Sequence, residues 1–467
     1  MINLWDRFRW IFCQLEVLRH CLPASVRRTL KELPESLDET YERILNEIKK
    51  PNRGLAQRVL QCLVVAIRPL RVWELAEVLA VDLDDSEGIP RLNADWRWED
   101  QEQALLFACS SLIAIVEAGD DDGDSDSDVE TSDSRVVQFS HFSVKEFLTS
   151  SRLSSTSGEV SAYRIDLKNA HTILAQACLG VLLQTHDEID ENTSKDHPLA
   201  RYAAEHWTTH AQFGEVSSRL GKGMEYLFNP DRPHFRVWLT LYDIDTNPVV
   251  GEVPPFYYFI PEHKSAATPL YYAALCGFHD LVEHLIAKYP HDVNANGGYC
   301  MRPIIAALAG EHFQTADLLR HNGANPHVQG YKERFPLHSA ARFEKLEVVQ
   351  KLIEYDAEID ARDEAGWTPL YLASSGDHFK DGSVLRLLLE RGADVNAQAV
   401  DGSTPLHWTS AWGAPEVVRL LLEHGADVEA VNRDGKTALQ VVKDAYPPFV
   451  RGRRDEITRL LVEHGAK

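Results

Sequence analysis

Residues 392–396 read Gly-Ala-Asp-Val-Asn and residues 404–407 read Thr-Pro-Leu-His. Both phrases recur in a single phase. Thr268-Pro269-Leu270, Phe335-Pro336-Leu337-His338, Thr368-Pro369-Leu370 and Thr437-Ala438-Leu439 repeat the second phrase, and Pro303-Ile304 holds its place in a degenerate copy. The proline position therefore falls at 269, 303, 336, 369, 405 and 438, at intervals of 33–36 residues. Asn322-Gly323-Ala324, Asp356-Ala357, Gly425-Ala426-Asp427-Val428 and Gly465-Ala466 close the copies as residues 392–396 do. Between the markers lie Leu281-Val282 with Leu285-Ile286, Val348-Val349 with Leu352-Ile353, and Val417-Val418 with Leu421-Leu422. These pairs form one apolar stripe at helical spacing. Extra residues enter the fourth copy near Asp377–Ser383 and the sixth within Ala445–Arg454, after which Ile457 and Leu461 resume the stripe. A period of this length means stacked supersecondary units, since no copy buries its stripe alone.

The repeat resembles the ankyrin repeat, with six copies over about 264–467. The residue choice has a physical basis. Thr caps the helix, worth about 1 kcal/mol. Pro occupies the first turn, where its missing N–H costs nothing. Gly392 and Gly425 suit a left-handed helix end. His338 and His407 read as hydrogen-bonding members of the motif rather than metal ligands. The ankyrin resemblance implies a partner-binding concave face built from the hairpin tips and the first helices. Carried onto this chain, that face takes positions three, six and seven after the proline, including Arg342, Phe343, Trp408 and Trp412. The nearby tips add Tyr331, Arg334 and Trp367. Trp412 and Phe343 fit either that face or the packing beneath a neighbouring copy.

The first half reads as helical. Ser36, with Glu39 three residues on, opens a helix as a capping box, and Leu37, Tyr41, Ile44, Leu45 and Ile48 form its apolar face. Pro51-Asn52-Arg53-Gly54 breaks it. A second helix is predicted over about 55–67 and a third over about 72–81, joined by a turn at Arg68-Pro69-Leu70. Leu112–Val116 and Arg135–His141 read as the two strands of a hairpin, and Ser143–Leu148 begins a further helix. Three helices and a hairpin make a winged helix. The hairpin loop, 117–134, holds nine acids and neither Lys nor Arg. It reads as a solvated acidic loop. Asp124, Asp126 and Asp128 alternate as calcium ligands do, but an EF-hand wants Gly sixth and Glu twelfth, and those places hold Val129 and Arg135. Ser125 and Ser127 precede acids, as sites for an acid-directed kinase do.

Leu33–Leu45, Arg68–Val81 and His141–Leu148 resemble the winged-helix domain, labelled after GPI inositol-deacylase, that follows the nucleotide-binding domain in fungal NACHT-type (STAND) ATPases. Phe8–Leu15 resembles the last helix of the ATPase domain in that family. Leu199–Trp207 resembles the helical connector before the repeats. The implied organisation is a remnant helix of a missing ATPase domain over 1–32, a winged helix over 33–152, a helical connector over 153–263 and six ankyrin repeats over 264–467. The implied fold class is mainly α, ending in an ankyrin-repeat α-solenoid.

The chemistry expected of an enzyme is missing from the sequence. A P-loop needs GxxxxGK[ST], whose backbone amides cradle phosphate while Lys and Ser/Thr meet phosphate and magnesium. Gly221-Lys222-Gly223 comes nearest, but Val216 replaces the first glycine and Gly223 the Ser/Thr. No GxSxG elbow occurs, so the deacylase label implies no lipase activity. His279 and His284 lie five apart, off the helix face that HExxH needs, and read as surface residues. Asn192-Thr193-Ser194 matches a glycosylation acceptor, which has meaning only in a secreted chain. No catalytic residue, cofactor or metal is expected.

Composition narrows the partners. The 467 residues carry 48 Lys+Arg against 71 Asp+Glu, a net charge of −23. Such a surface repels nucleic-acid phosphate, and the third helix, Trp73–Leu79, is acidic, which is wrong for a major groove. Hydrophobic residues at 44% and charged residues at 25% exclude wholesale disorder, collagen and coiled coil. No apolar run reaches the roughly 18–20 residues of a membrane span. Seven scattered cysteines without a CxxC fit reduced, mostly buried thiols in a cytoplasmic protein. The leading expectation is a non-enzymatic interaction scaffold or sensor that binds protein partners through its repeats within NACHT-like fungal signalling. The alternatives are an incomplete gene model of a NACHT ATPase switch, which the abrupt start at residues 1–22 suggests, and a nucleic-acid-binding regulator using the winged helix.

Overall fold

The computed structural model describes residues 36–83, 88–109, 111–117, 135–155, 159–185, 196–245, 267–328, 335–374, 382–412, 414–444 and 451–467. The expectations for the N-terminal remnant helix, the acidic loop with Ser125 and Ser127, the Asn192 acceptor, and the face residues Tyr331 and Arg334 lie outside them. The chain divides into two compact units, Met1–Asp243 and Ile244–Lys467.

In the first unit, α1 (Leu37–Glu47) is capped by the Ser36 hydroxyl, which accepts the Glu39 N–H at 3.2 Å. Then come α2 (Arg53–Val65), β1 (Leu70–Arg71), α3 (Val72–Leu79), β2 (Val81–Asp82), β3 (Arg91–Leu92), α4 (Gln101–Cys109), β4 (Ile113–Glu117), β5 (Arg135–Phe139) and α5 (Phe142–Thr149). The predicted hairpin forms. Strands β4 and β5 pair antiparallel with Ile115 opposite Val137. A short strand the sequence reading took for a turn, β1, adds to the other side of β5 with Leu70 opposite Val137, giving the order β1-β5-β4. Leu70 and Val137 are both buried, so the central strand's inward side chains decide the register.

The helix order requires one correction. The helix that runs into the hairpin is α4, not Trp73–Leu79, which forms α3 instead. The sequence reading missed α4 because Gln101–Cys109 lacks a clean apolar stripe: it buries Ala104, Leu105, Ala108 and Cys109 but leaves Phe107 67% exposed. Two buried carboxylates on α3 also prove structural. Glu74 receives the Arg68 guanidinium at 2.6 and 2.8 Å and the Arg71 N–H at 2.7 Å. Glu77 receives the Leu199 N–H at 2.6 Å and the Arg97 guanidinium. The acidity of this helix is thus matched inside the fold, since a buried charge must be paired.

Beyond the winged helix, α6 (Leu167–Leu182) and α7 (Ala200–Gln212) pack on each other, and α6 packs on α2. A polar relay runs through them. The Ile67 N–H reaches the Tyr202 hydroxyl at 3.2 Å, that hydroxyl meets His210 Nε2 at 2.9 Å, and His210 Nδ1 meets His171 Nδ1 at 2.8 Å. Burial and the neighbouring His171 push His210 down to about 3, so the relay is built from neutral rings.

In the second unit the repeats form as helix pairs: Pro269–Leu275 with His279–Lys288, Pro303–Ala309 with Phe313–His321, Pro336–Arg342 with Leu346–Glu354, Pro369–Ala373 with Ser383–Glu390, Pro405–Trp412 with Pro415–Glu423, and Ala438–Asp444 with Arg451–Glu463. Thr268 and Thr368 cap their helices through the N–H groups of Tyr271 and Tyr371. Gly392 and Gly425 sit at φ +90° and +86°, as the helix ends require. Asp356 accepts the same left-handed place at φ +64° without being glycine, which costs about 1 kcal/mol.

The motif's polar residues bind copy to copy. His407 Nδ1 lies 3.2 Å from the Thr404 N–H and its Nε2 lies 3.0 Å from the Lys436 carbonyl one repeat on. His338 repeats this with the Phe335 N–H at 3.1 Å and the Trp367 carbonyl at 3.0 Å. Both histidines are buried and both ring nitrogens are engaged, so they are structural. Asn396 links its repeat to the next by meeting the Asp427 N–H and the Gly425 carbonyl. Ahead of the first repeat, buried Asp245 accepts the Tyr271 hydroxyl at 2.7 Å and the Tyr299 N–H at 2.8 Å, which explains why residues 244–245 group with the array.

Candidate partner-binding face

The candidate residues of the fourth and fifth repeats sit on tips and first helices, and the tips are set by glycine. In the tip Asp363–Trp367, the Asp363 carboxylate accepts the N–H groups of Ala365 and Trp367, both at 2.9 Å. Gly366 lies at φ +72°, and a Cβ there would meet the Val400 backbone nitrogen at 2.9 Å. Only glycine permits this turn and this approach. The close approach lets the Val400 N–H reach the Ala365 carbonyl at 2.8 Å, and the next tip repeats it between the Arg433 N–H and the Asp401 carbonyl at 2.9 Å. The tips are thereby laced edge to edge, and the side chains they carry fall into a row.

That row is aromatic. Trp367 stacks on Tyr371 with ring centroids 5.5 Å apart and planes 9° from parallel. Trp408 of the fifth repeat lies 6.0 Å from Trp367 and 5.8 Å from Tyr371. Trp412, one turn further along the same helix, lies 5.6 Å from Trp408. Trp412 is 63% exposed, Trp367 and Trp408 are half-buried, and Tyr371 is buried. Among the described residues the buried Trp408 indole nitrogen has no hydrogen-bond acceptor. Burial and the carboxylates of Asp401 and Asp363 raise the Tyr371 phenol, so the ladder lies in a negative local field.

The residues predicted for the face therefore divide. Trp367, Trp408 and Trp412 come together, and Trp412 stands in solvent rather than beneath a neighbouring copy. Arg342 and Phe343, on the third repeat, are half-buried. Tyr371 is the member the sequence reading missed. It stands two positions after the proline, a core place in the motif, and its spacing of four residues from Trp367 was the available signal.

Helix α4, which leads into the hairpin, contains no Lys or Arg and carries Glu102. Among the described residues no group of three or more metal-ligating side chains converges, and no helix is long and apolar enough to cross a membrane.

Comparison with known proteins agrees with both halves. Residues 41–158 match the family model "GPI inositol-deacylase, winged helix domain". Residues 267–295 match an ankyrin-repeat model, and 303–399 and 378–467 match the model for arrays of ankyrin repeats. The chain thus carries a winged helix of the GPI inositol-deacylase type followed by ankyrin repeats. An azaphilone pigments biosynthesis cluster protein L of Monascus ruber is 31% identical over 310 residues, 63% of this chain and 61% of that protein. Ankyrin repeat and SOCS box protein 5 of Mus musculus is 36% identical over 108 residues, 23% of this chain and 32% of that protein. Protein phosphatase 1 regulatory subunit 27 of Homo sapiens is 54% identical over 39 residues, 8% of this chain and 25% of that protein. The chain thus spans about three fifths of the first relative's length and a third or less of the others'. Among solved structures, the ankyrin repeat domain of Bcl-3 aligns with 43% of this chain and 87% of its own, at 26% identity and a TM-score of 0.38.

Proposed function

We propose that this chain is a non-enzymatic, cytoplasmic interaction scaffold or sensor module that holds protein partners on the tips and first helices of its ankyrin array, within NACHT-type fungal signalling. The ankyrin repeats support a protein–protein interaction module. One observation carries the reading further: the ladder Trp367–Tyr371–Trp408–Trp412 spans two repeats and brings the Trp412 ring into solvent at its end. Exposed tryptophan is costly to leave in water and is enriched at the energetic centres of interfaces. The sequence also holds no P-loop, no nucleophile elbow and no zinc-protease motif. We assign Arg342 and Phe343 to the flank of the same face, and Tyr331 and Arg334 to it on the ankyrin resemblance alone.

The test is partner capture with the wild-type chain and with Trp412→Ala. Loss of captured proteins with an unchanged thermal midpoint supports the reading. Equal capture by both forms refutes it for this face. The resemblance of Phe8–Leu15 to the last helix of a NACHT ATPase domain favours a second reading, in which this sequence is the sensor part of an ATP-driven switch. An upstream in-frame exon carrying GxxxxGK[ST] in the transcript would establish that reading, and a transcript beginning at Met1 would end it.

A further inference from the structure

We propose that the aromatic ladder of the fourth and fifth repeats takes an arginine-bearing, basic segment of a partner polypeptide, with a guanidinium plane stacked on the exposed Trp412 ring that the ladder holds in place and the tip carboxylates supplying the opposite charge. This rests on the reading of the ladder as the partner face and names the chemistry that face selects.

Three observations carry it. The first is ring geometry. Neighbouring rings lie 5.5–6.0 Å apart, centroid to centroid, so they touch one another and enclose no gap between them. A round ammonium held inside a cage has no place here. A flat group lying across an open ring face does, and tryptophan is the strongest cation–π partner among the side chains.

The second observation is charge. The two tips that flank the ladder hold Asp363, Glu364 and Asp401 against Arg362. The Arg362 guanidinium is turned to the Gln398 carbonyl at 2.8 Å. Asp363 and Asp401 hold their own turns through the Trp367 and Ser403 N–H groups. Glu364 is exposed and makes no ion pair among the described residues. The local excess is negative, and the whole chain carries −23. An acidic segment is repelled, a neutral proline-rich segment leaves the carboxylates unused, and a cationic one is drawn in.

The third is the choice between cations. Lysine presents a compact and strongly hydrated point charge, whereas arginine is planar, weakly hydrated and stacks on aromatic faces. The open ladder discriminates on that difference.

The experiment uses the full chain and four nine-residue Gly/Ser peptides without aromatic residues. One carries three Arg, one three Lys, one three Glu and one three Pro. Binding is read by tryptophan fluorescence and by calorimetry at about 50 mM salt, where the Debye length exceeds about 10 Å. The Arg peptide should bind about 3- to 10-fold more tightly than the Lys peptide, and the Glu peptide should not bind. Trp412→Ala should weaken the Arg peptide roughly 10-fold, and Glu364→Gln about 2- to 3-fold, the latter effect fading near 0.5 M salt. Equal affinity for Arg and Lys, or preference for the Pro or Glu peptide, overturns the inference. If that other peptide is still lost with Trp412→Ala, the partner-face reading survives. Binding of any peptide that Trp412→Ala leaves unchanged overturns both.

Discussion

Replacing His338 by Ala should loosen the joint that carries the first indole of the ladder. The ring is wholly buried and makes two hydrogen bonds: Nδ1 takes the Phe335 N–H at 3.1 Å and Nε2 gives to the Trp367 carbonyl at 3.0 Å. Each is worth about 1 kcal/mol net, and the groups left without partners add up to about 2 kcal/mol more. The expected local loss is therefore about 2–4 kcal/mol. The sixth repeat supplies an internal control. There Gln440 occupies the histidine's place, and its amide oxygen takes the Thr437 N–H at 3.0 Å. His338→Gln should accordingly keep the acceptor role and lose about half as much. Native-state hydrogen exchange is the suitable assay, because a two-unit chain with repeats does not melt in one step. In peptides covering Pro336–Arg342 and Thr368–Ala373, exchange should speed up roughly 30- to 700-fold with Ala, at about 1.4 kcal/mol per factor of ten. Unchanged exchange in either peptide, or an equal effect of Gln and Ala, would refute the joint.

Three further outcomes follow from the same geometry. Trp412→Ala should leave stability within about 0.5 kcal/mol, whereas Trp408→Ala, which strips contacts from three rings, should cost about 2–3 kcal/mol; native-state hydrogen exchange in the fourth and fifth repeats of both variants checks the contrast. The neutral His210 relay should make the first unit acid-sensitive. With a folded value of about 3 against an unfolded value of about 6.5, the unfolded chain takes up the proton first. Stability is then intact above about pH 6.5 and falls toward pH 3 by about 1.4 kcal/mol per unit, a slope that His210→Gln should reduce in denaturant titrations at stepped pH. The cysteines at 62, 109, 178, 276 and 300 are buried, and burial pushes Cys62 and Cys109 up to about 12. Thiol reagents followed by peptide mapping should leave these five unlabelled at pH 8 and label them in denaturant.

The repeats were legible because each copy writes its own turn, cap and stripe into a fixed frame. Thr368, Pro369 and Gly392 act within a few residues of themselves, and local rules suffice there. The winged helix was less open to such reading. Strand β1 is two residues long, and only its partner Val137, far along the chain, makes Leu70 a strand. Helix α4 was passed over because its burial depends on α2 and α3 rather than on its own periodicity. The carboxylates of Glu74 and Glu77 looked like an acidic surface in sequence, yet they are buried against Arg68 and Arg97. On the face, tryptophan at exposed motif positions could be read from one copy at a time. The ladder could not, because it exists only where two copies are held side by side, and Tyr371 joins it from a place the motif assigns to the core.

This dependence makes the face a property of stacking. Trp367 belongs to the fourth repeat and Trp408 to the fifth, and they meet because the Val400 N–H reaches the Ala365 carbonyl while His338 fixes the Trp367 backbone from the repeat before. Three successive copies thus set the proposed contact surface. In a solenoid each repeat is held mainly by its neighbours, so a partner lying across Trp367, Trp408 and Trp412 binds only the correctly stacked state. Saturating it at about 100 times its dissociation constant would stabilise that state by about 2.7 kcal/mol, comparable to what the His338 joint contributes. A partner should therefore restore slow exchange to repeats three to five of the His338→Ala variant. Protection confined to the fifth repeat would show instead that Trp412 binds alone and that the ladder is no unit.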